Sequence, residues 1–457
     1  MPGGTVAVMV PLAARARSVV RRLTAPVDGA SLAAVRFAFG AIVVWEVFRY
    51  VDRGWIARYF LDAPVQFTYL FASWLRPLPG IGMYVVFGVL AVAGVALAVG
   101  AWTRVAAAVT ALGLGYAFLL EQSRYLNHGY LMVLVALLLV VVPTHRAWSV
   151  DAWRCGRGRP VPFWAVAALR FQVGVVYAFA GIAKLHPDWL AGRPLERWLR
   201  GHDHVPVLGW ATSLPNAPVA FAWGGMLLDL LAAPLLLWRP TRLPMFLALV
   251  AFHAGNDQLC SIGVFPALAV ALTTVFFDPD WPRAWRRARA PLALPGLRAA
   301  RFARRPGFAE RAALVFLAAF AVVQIALPLR HHAYPTDVTW SEDGHRFAWR
   351  MMLRSKQGDL RMVVVDRVDG SSRTVHARDL VAPWQHGQVS TRPDLIQQLA
   401  HHVARAESAA GRDVAVHALA FVALNGRPPR MWIDPTVDLA ATSRTWASAP
   451  WVLPYRP

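Results

Sequence analysis

Apolar residues along this chain come in long, nearly uninterrupted runs. A segment crossing a hydrocarbon core of about 30 Å needs roughly 17 to 25 apolar residues. Runs of this kind extend over Leu32 to Tyr50, Gly82 to Gly100, Val105 to Leu120 and Leu126 to Pro143. Five more cover Phe163 to Leu185, Pro218 to Trp238, Pro244 to Asn256, Leu259 to Phe277 and Ala312 to Leu329. The pattern predicts an all-α polytopic membrane bundle of about nine transmembrane helices. The seventh and eighth runs are short and nearly continuous, so they either cross fully or form a re-entrant pair.

Beyond His331 the pattern changes to that of a water-soluble domain. Arg361 to Val365 reads as a strand, and Asp369-Gly370 is a turn signal before a second strand from Arg373 to His376. Pro393 to Gly411 reads as a helix with Leu395, Leu399 and Val403 on one face and Gly411 as its C-terminal cap. Val414 to Leu424, a turn at Asn425-Gly426 and Arg430 to Ile433 complete a second hairpin. The organisation expected is an N-terminal arm (1–30), a transmembrane domain (31–330) and a β-rich α+β domain (331–457).

Charge orients this plan. With the N-terminus inside, the even-numbered loops carry Arg104, then Arg146, Arg154, Arg157 and Arg159, then Arg239 and Arg242, and finally the basic segment from Arg283 to Arg305. The odd loops balance theirs: Arg53, Arg58 and Arg76 against Asp52 and Asp62, and Arg193, Arg197 and Arg200 against Asp188, Glu196 and Asp203. This is the positive-inside pattern, and it places the arm in the cytoplasm and the last domain outside the cell membrane. In the arm, Arg15, Arg17, Arg21 and Arg22 follow a mild apolar stretch, the reverse of a signal peptide's order. Composition agrees: 57% of residues are hydrophobic and only 16% charged, too few charges to wet a soluble protein of this size. The net charge of +21 lies in the loops between apolar runs, so it reads as topology and not as a nucleic-acid surface. Cys155 and Cys260 support neither a disulfide framework nor a metal site.

Ionisable groups inside a membrane are costly and mark function. Lys184 ends the fifth run, Asn127 and His128 open the fourth, and His253, Asn256 and Gln258 lie where the seventh meets the eighth. Taken singly, each reads as a snorkelling or satisfied helix-end group. Under the topology above, however, all fall at extracytoplasmic helix ends and at one depth. Such a cluster forms a polar pocket open to a quinone or lipid head from the bilayer and to a polar substrate from outside.

Several strings resemble the vitamin K-dependent γ-glutamyl carboxylases. Gly181-Ile-Ala-Lys-Leu-His-Pro-Asp-Trp189 is similar to the family's lysine segment. Phe252-His-Ala-Gly-Asn-Asp-Gln-Leu-Cys-Ser-Ile-Gly-Val-Phe265, followed by Phe277-Asp-Pro-Asp-Trp-Pro282, is similar to another. Tyr125-Leu-Asn-His-Gly-Tyr-Leu131 and Trp148-Ser-Val-Asp151 resemble its asparagine–histidine helix and the loop after it. Further on, Phe347-Ala-Trp-Arg-Met-Met352 and Trp432-Ile-Asp-Pro-Thr-Val-Asp438 resemble family motifs beyond the membrane half. That half is of a type, the HTTM domain, shared with many bacterial membrane proteins, so the downstream matches are the specific ones.

The resemblance implies an enzyme that converts glutamate in a peptide or protein to γ-carboxyglutamate with reduced vitamin K, O2 and CO2. The γ-proton is far less acidic than any protein side chain, so no protein base removes it directly. The family instead oxidises the hydroquinone to a strongly basic alkoxide and releases the epoxide. The lysine matching Lys184 starts this as a free amine, a form that burial among apolar groups favours. The histidine matching His128 serves carboxylation. By the same resemblance Asn127, His253, Asn256 and Gln258 hold the quinone, with Trp349, Met351 and Met352 against its apolar body. Apart from the resemblance, Gly181, lacking a side chain near Lys184, is expected to admit the ring close to the fifth helix. The two methionines also read as core filling where the outer domain meets the membrane.

Departures are specific. Ala183 stands where animal members carry a second lysine, His345 stands in place of an aromatic, and the animal cysteine pair is missing. Richness in arginine and alanine suggests a bacterium, where menaquinol is the natural vitamin K form. Two rivals remain: a menaquinol epoxidase or oxidase that carboxylates nothing, and a non-catalytic membrane protein handling lipid or peptide on the same scaffold.

Overall fold

The computed structural model describes residues 19–156, 158–201, 204–205, 209–260, 262–287 and 307–455. The first part of the arm, Arg157, Asp203 and residues 288–306 of the basic segment lie outside the described residues.

A helix forms at each of the nine apolar runs: α1 (Ala30–Asp52), α2 (Ile81–Val99), α3 (Thr103–Leu120), α4 (Asn127–Val141), α5 (Phe163–Ala183), α6 (Ala217–Leu237), α7 (Arg239–Cys260), α8 (Phe265–Thr273) and α9 (Phe308–Leu329). Among the described residues six of them, α1, α2, α3, α5, α6 and α9, are long and apolar enough to cross a membrane. The other three refine the expectation of about nine. With 15 and 9 residues, α4 and α8 are short. α7 has 22 residues, roughly 33 Å at 1.5 Å per residue, but it opens with Arg239 and Arg242. The boundary expected at Asn256 falls instead at Cys260. Gly263 then takes φ +70, Pro266 opens α8, and α8 is too short to cross alone.

Loops collect at the two ends of the bundle. At one end Pro26–Val27 pairs antiparallel with Val161–Pro162, and Arg283 binds Asp28 at 2.9 Å. At the same end Arg242 and Arg239 each lie 3.2 Å from Asp278. Arg36, buried near the start of α1, donates to the carbonyls of Thr144, Ala147 and Trp148 in the loop after α4 and to that of Ala98 in the last turn of α2. Arg170 does the same for Val275, Phe276 and Phe277 after α8.

The C-terminal domain docks on the opposite end. It contains a four-stranded antiparallel sheet in the order β2-β1-β3-β4, from β1 (Lys356–Asp366), β2 (Ser372–His376), β3 (Val414–Leu424) and β4 (Arg430–Met431). Helix α10 (Pro393–Ala409) buries Leu395, Leu399 and Val403 in the domain core, and Gly411 follows at φ +79. Asn425 and Gly426 both take positive φ, as a two-residue hairpin turn requires. Val65 and Phe67, from the loop after α1, join that core, and Gln122 and Thr68 hydrogen-bond Asp394 and Gln398 across the junction. Within the domain Glu342 is buried between Arg354 and Lys356, with the latter at 2.5 Å. Burial alone would raise its carboxyl, but the two cations outweigh that and hold it well below the carboxylate range.

This arrangement sets up a test of orientation. Topology reporters fused within 283–305 and after Pro335 should report opposite sides of the membrane, the first cytoplasmic. Both on one side would defeat the orientation and the common depth of the polar groups.

Candidate active site

One cavity of about 880 Å³ lies beneath the C-terminal domain, walled by the ends of α1, α5 and α7 and the starts of α4, α6 and α8. The bundle's antiparallel order brings these six helix ends together. Seven of the residues singled out from the sequence line it: Lys184, His128, Asn127, His253, Asn256, Met351 and Met352.

Lys184 follows the last turn of α5, where Pro187 stops the helix and starts a short one, Pro187–Leu190. Its Nζ donates to Oδ2 of Asp229 on α6 at 2.6 Å, and the two side chains are only 7% and 5% exposed. The ammonium also stands 5.3 Å over the Trp189 ring. The segment after Lys184 is tied to the C-terminal domain. Asp188 accepts from both terminal nitrogens of Arg427, at 2.6 and 2.5 Å, and from Asn425 at 2.8 Å. Those bonds, Arg427's first, hold its carboxyl below the usual range. His186 faces Asp337 at 3.3 Å.

A second pair sits deeper. Tyr177 Oη and His253 Nε2 are 2.7 Å apart, both buried, and among the described residues His253 Nδ1 has no partner. His128 lies 6.4 Å, ring to ring, from Phe265, which also packs edge-on against His253. Asn127 Oδ1 accepts from Tyr125 Oη at 3.0 Å, and that hydroxyl accepts from the Phe347 backbone N–H at 2.7 Å. The start of α4 is thus wired to the segment 347–352. This segment is strained: Phe347, Trp349 and Met352 all take positive φ (60°, 56° and 49°), rare for bulky residues and held only where the surroundings over-determine it. The strain lets the segment push Trp349 into the bundle core while Met352, 44% exposed, faces the cavity.

Three expected residues stand elsewhere. Gly181 does not open onto the cavity. A Cβ there would meet Leu230 of α6 at 2.7 Å, so the glycine serves close packing of α5 on α6, and a leucine would wedge those helices apart. Gln258 is exposed on α7 and faces away from the cavity. Trp349 is 0% exposed and stacks on Tyr130 at 5.0 Å, a core role.

Sequence reasoning missed Asp229, Tyr177, Glu46, Arg49 and Arg124, all of which line the cavity. Asp229 had a usable signal, since it is a lone carboxylate inside a 21-residue apolar helix. Lys184 had a further one. It is one of two lysines in the chain, the other being Lys356, among 47 basic residues. Where arginine is the default cation, a lysine is an unusual choice: Lys356 lies in the buried ion pair with Glu342, and Lys184 lies on the cavity wall.

Two family models cover most of the chain. Residues 24–281 match the HTTM domain, and residues 309–457 match the lumenal domain of vitamin K-dependent gamma-carboxylase. No solved structure matches the chain.

Proposed function

Because this chain belongs to the vitamin K-dependent γ-glutamyl carboxylase family, we propose that it couples oxidation of menaquinol by O2, giving the epoxide, to carboxylation of glutamate in a peptide or protein. The observation that carries this reading is the meeting of Lys184 and His128, from two helices, on one large cavity under the outer domain.

The cavity suits a reduced vitamin K. Its volume falls within the roughly 300–1,000 Å³ usual for ligand pockets, and its walls are mainly apolar with a few convergent polar groups. His253, with Nδ1 unpartnered among the described residues, Asn256 and Lys184 offer polar partners for ring oxygens, and Phe265, Met351 and Met352 offer apolar contact. When bound and oxidised, reduced vitamin K supplies the base strong enough to take the γ-proton of glutamate. The chain's own residues prepare for that. Lys184 Nζ is the proton acceptor that starts the oxidation, and it acts only after its own proton has left. Asp229 Oδ2, at 2.6 Å, is the acceptor within reach. Tyr177 orients His253 through their 2.7 Å bond. His128 serves the second half, in which the γ C–H bond breaks, its electron pair attacks the carbon of CO2, and a second carboxylate forms.

The deciding experiment gives the purified full chain reduced vitamin K, labelled bicarbonate and a glutamyl peptide, and measures epoxide and fixed label together. Both products are expected. Epoxide without label would select the quinol-oxidising alternative, and neither would overturn the assignment. His128→Ala should lower label fixation by about 10²-fold or more while epoxide formation falls less. Equal losses would remove His128 from the carboxylation half.

A further inference from the structure

The charges on the cavity wall do not balance. Glu46 and Asp229 are its acids, and Arg49, Arg124 and Lys184 its cations. Asp229 is taken by Lys184 and Glu46 by Arg49, each pair at 2.6 Å. Glu121, which lines the small adjoining pocket, spends its oxygens on Ser123 Oγ at 2.6 Å and on the N–H groups of Ser123 and Phe67. Among the described residues no carboxylate stands within ion-pair distance of Arg124.

Resting on the reading above, we propose that Arg124 is the receptor for the side-chain carboxylate of the glutamyl substrate. Its guanidinium lies 3.4 Å from the centroid of the Tyr59 ring, flanked by Tyr50 and Trp55, so its plane is held without engaging most of its donors. One of its five N–H groups reaches Tyr50 Oη, at 3.4 Å. A cation fixed face-on by an aromatic ring, bordering an apolar cavity, presents a free fork to a carboxylate. The location fits the chemistry. Arg124 and His128 share the wall of the main cavity and that of the adjoining pocket of about 70 Å³. A carboxylate seated on Arg124 has its γ-carbon one bond away, in the region His128 lines. When the γ C–H bond breaks, the electron pair delocalises onto that carboxylate, whose charge rises from one to two. A guanidinium opposite it therefore favours the transition state more than the bound substrate.

The test uses the full chain in lipid nanodiscs and two fluorescent peptides differing only in glutamate against glutamine. Wild-type protein should prefer the glutamyl peptide about tenfold or more in equilibrium binding. Arg124→Met should abolish the preference, and Arg124→Lys should retain part of it. In turnover, Arg124→Met should raise KM for the peptide about tenfold or more and leave KM for reduced vitamin K unchanged, a split that general damage would not produce. If Arg124→Met fails to fold, Arg124→Lys decides by its reduced preference. A wild type with no preference, or a variant with it intact, overturns the proposal. A wild type that prefers glutamyl peptide but fixes no label, with the preference lost in Arg124→Met, supports Arg124 as the receptor while defeating the carboxylation reading.

Discussion

Lys184→Arg is expected to abolish epoxide formation and carboxylation together, by about 10²- to 10⁴-fold, in a protein that still folds. The variant retains the positive charge and, through it, the ion pair with Asp229, where the native amine lies at 2.6 Å in a buried site. What it loses is the ability to give up a proton, since a guanidinium stays charged at any accessible pH. Lys184→Ala should lose both products too, but it also strands Asp229 as a buried carboxylate without its cation. Comparing the two variants therefore separates base from counter-ion. If Lys184→Arg made epoxide at the wild-type rate, the amine would not be the initiating base. A small exogenous amine should partly restore turnover to Lys184→Ala and leave Lys184→Arg inactive, because arginine fills the site.

The second large effect belongs to Asp229. Asp229→Ala should destabilise the protein by about 3–5 kcal/mol, the usual consequence of leaving one member of a buried ion pair alone. The double variant Lys184→Ala/Asp229→Ala should be more stable than the sum of the single losses implies, because neither charge is then left behind. Thermal unfolding of the purified chain in one detergent measures the cycle. Strict additivity would mean that the 2.6 Å contact contributes no coupling. In turnover, Asp229→Asn keeps the shape but removes the proton acceptor, so epoxide formation should fall about 10²-fold with KM for peptide unchanged. Wild-type epoxidation in Asp229→Asn would rule out Asp229 as the route for the lysine's proton.

The sequence by itself determined the features that depend on local chemistry. Apolar runs located the helices because the length of a run and the penalty for polar groups in hydrocarbon act residue by residue. Asp369-Gly370 and Asn425-Gly426 marked their hairpins because few residues tolerate positive φ at such turns, and Leu395, Leu399 and Val403 marked one helix face by spacing alone. Lys184, His128 and His253 stood out because each is expensive where it sits. Only the tertiary structure decided which way each side chain turns and whom it meets. Rotation of a helix about its axis is set by packing against its neighbours. That rotation buries Gly181 against Leu230, faces Gln258 outward and turns Asn256 and His253 toward the cavity. The partnerships that give the site its chemistry span long stretches of chain: 45 positions from Lys184 to Asp229, 76 from Tyr177 to His253, and 239 from Asp188 to Arg427. No local pattern encodes such pairs, because their free energy exists only once both groups have been drawn out of water into the same place.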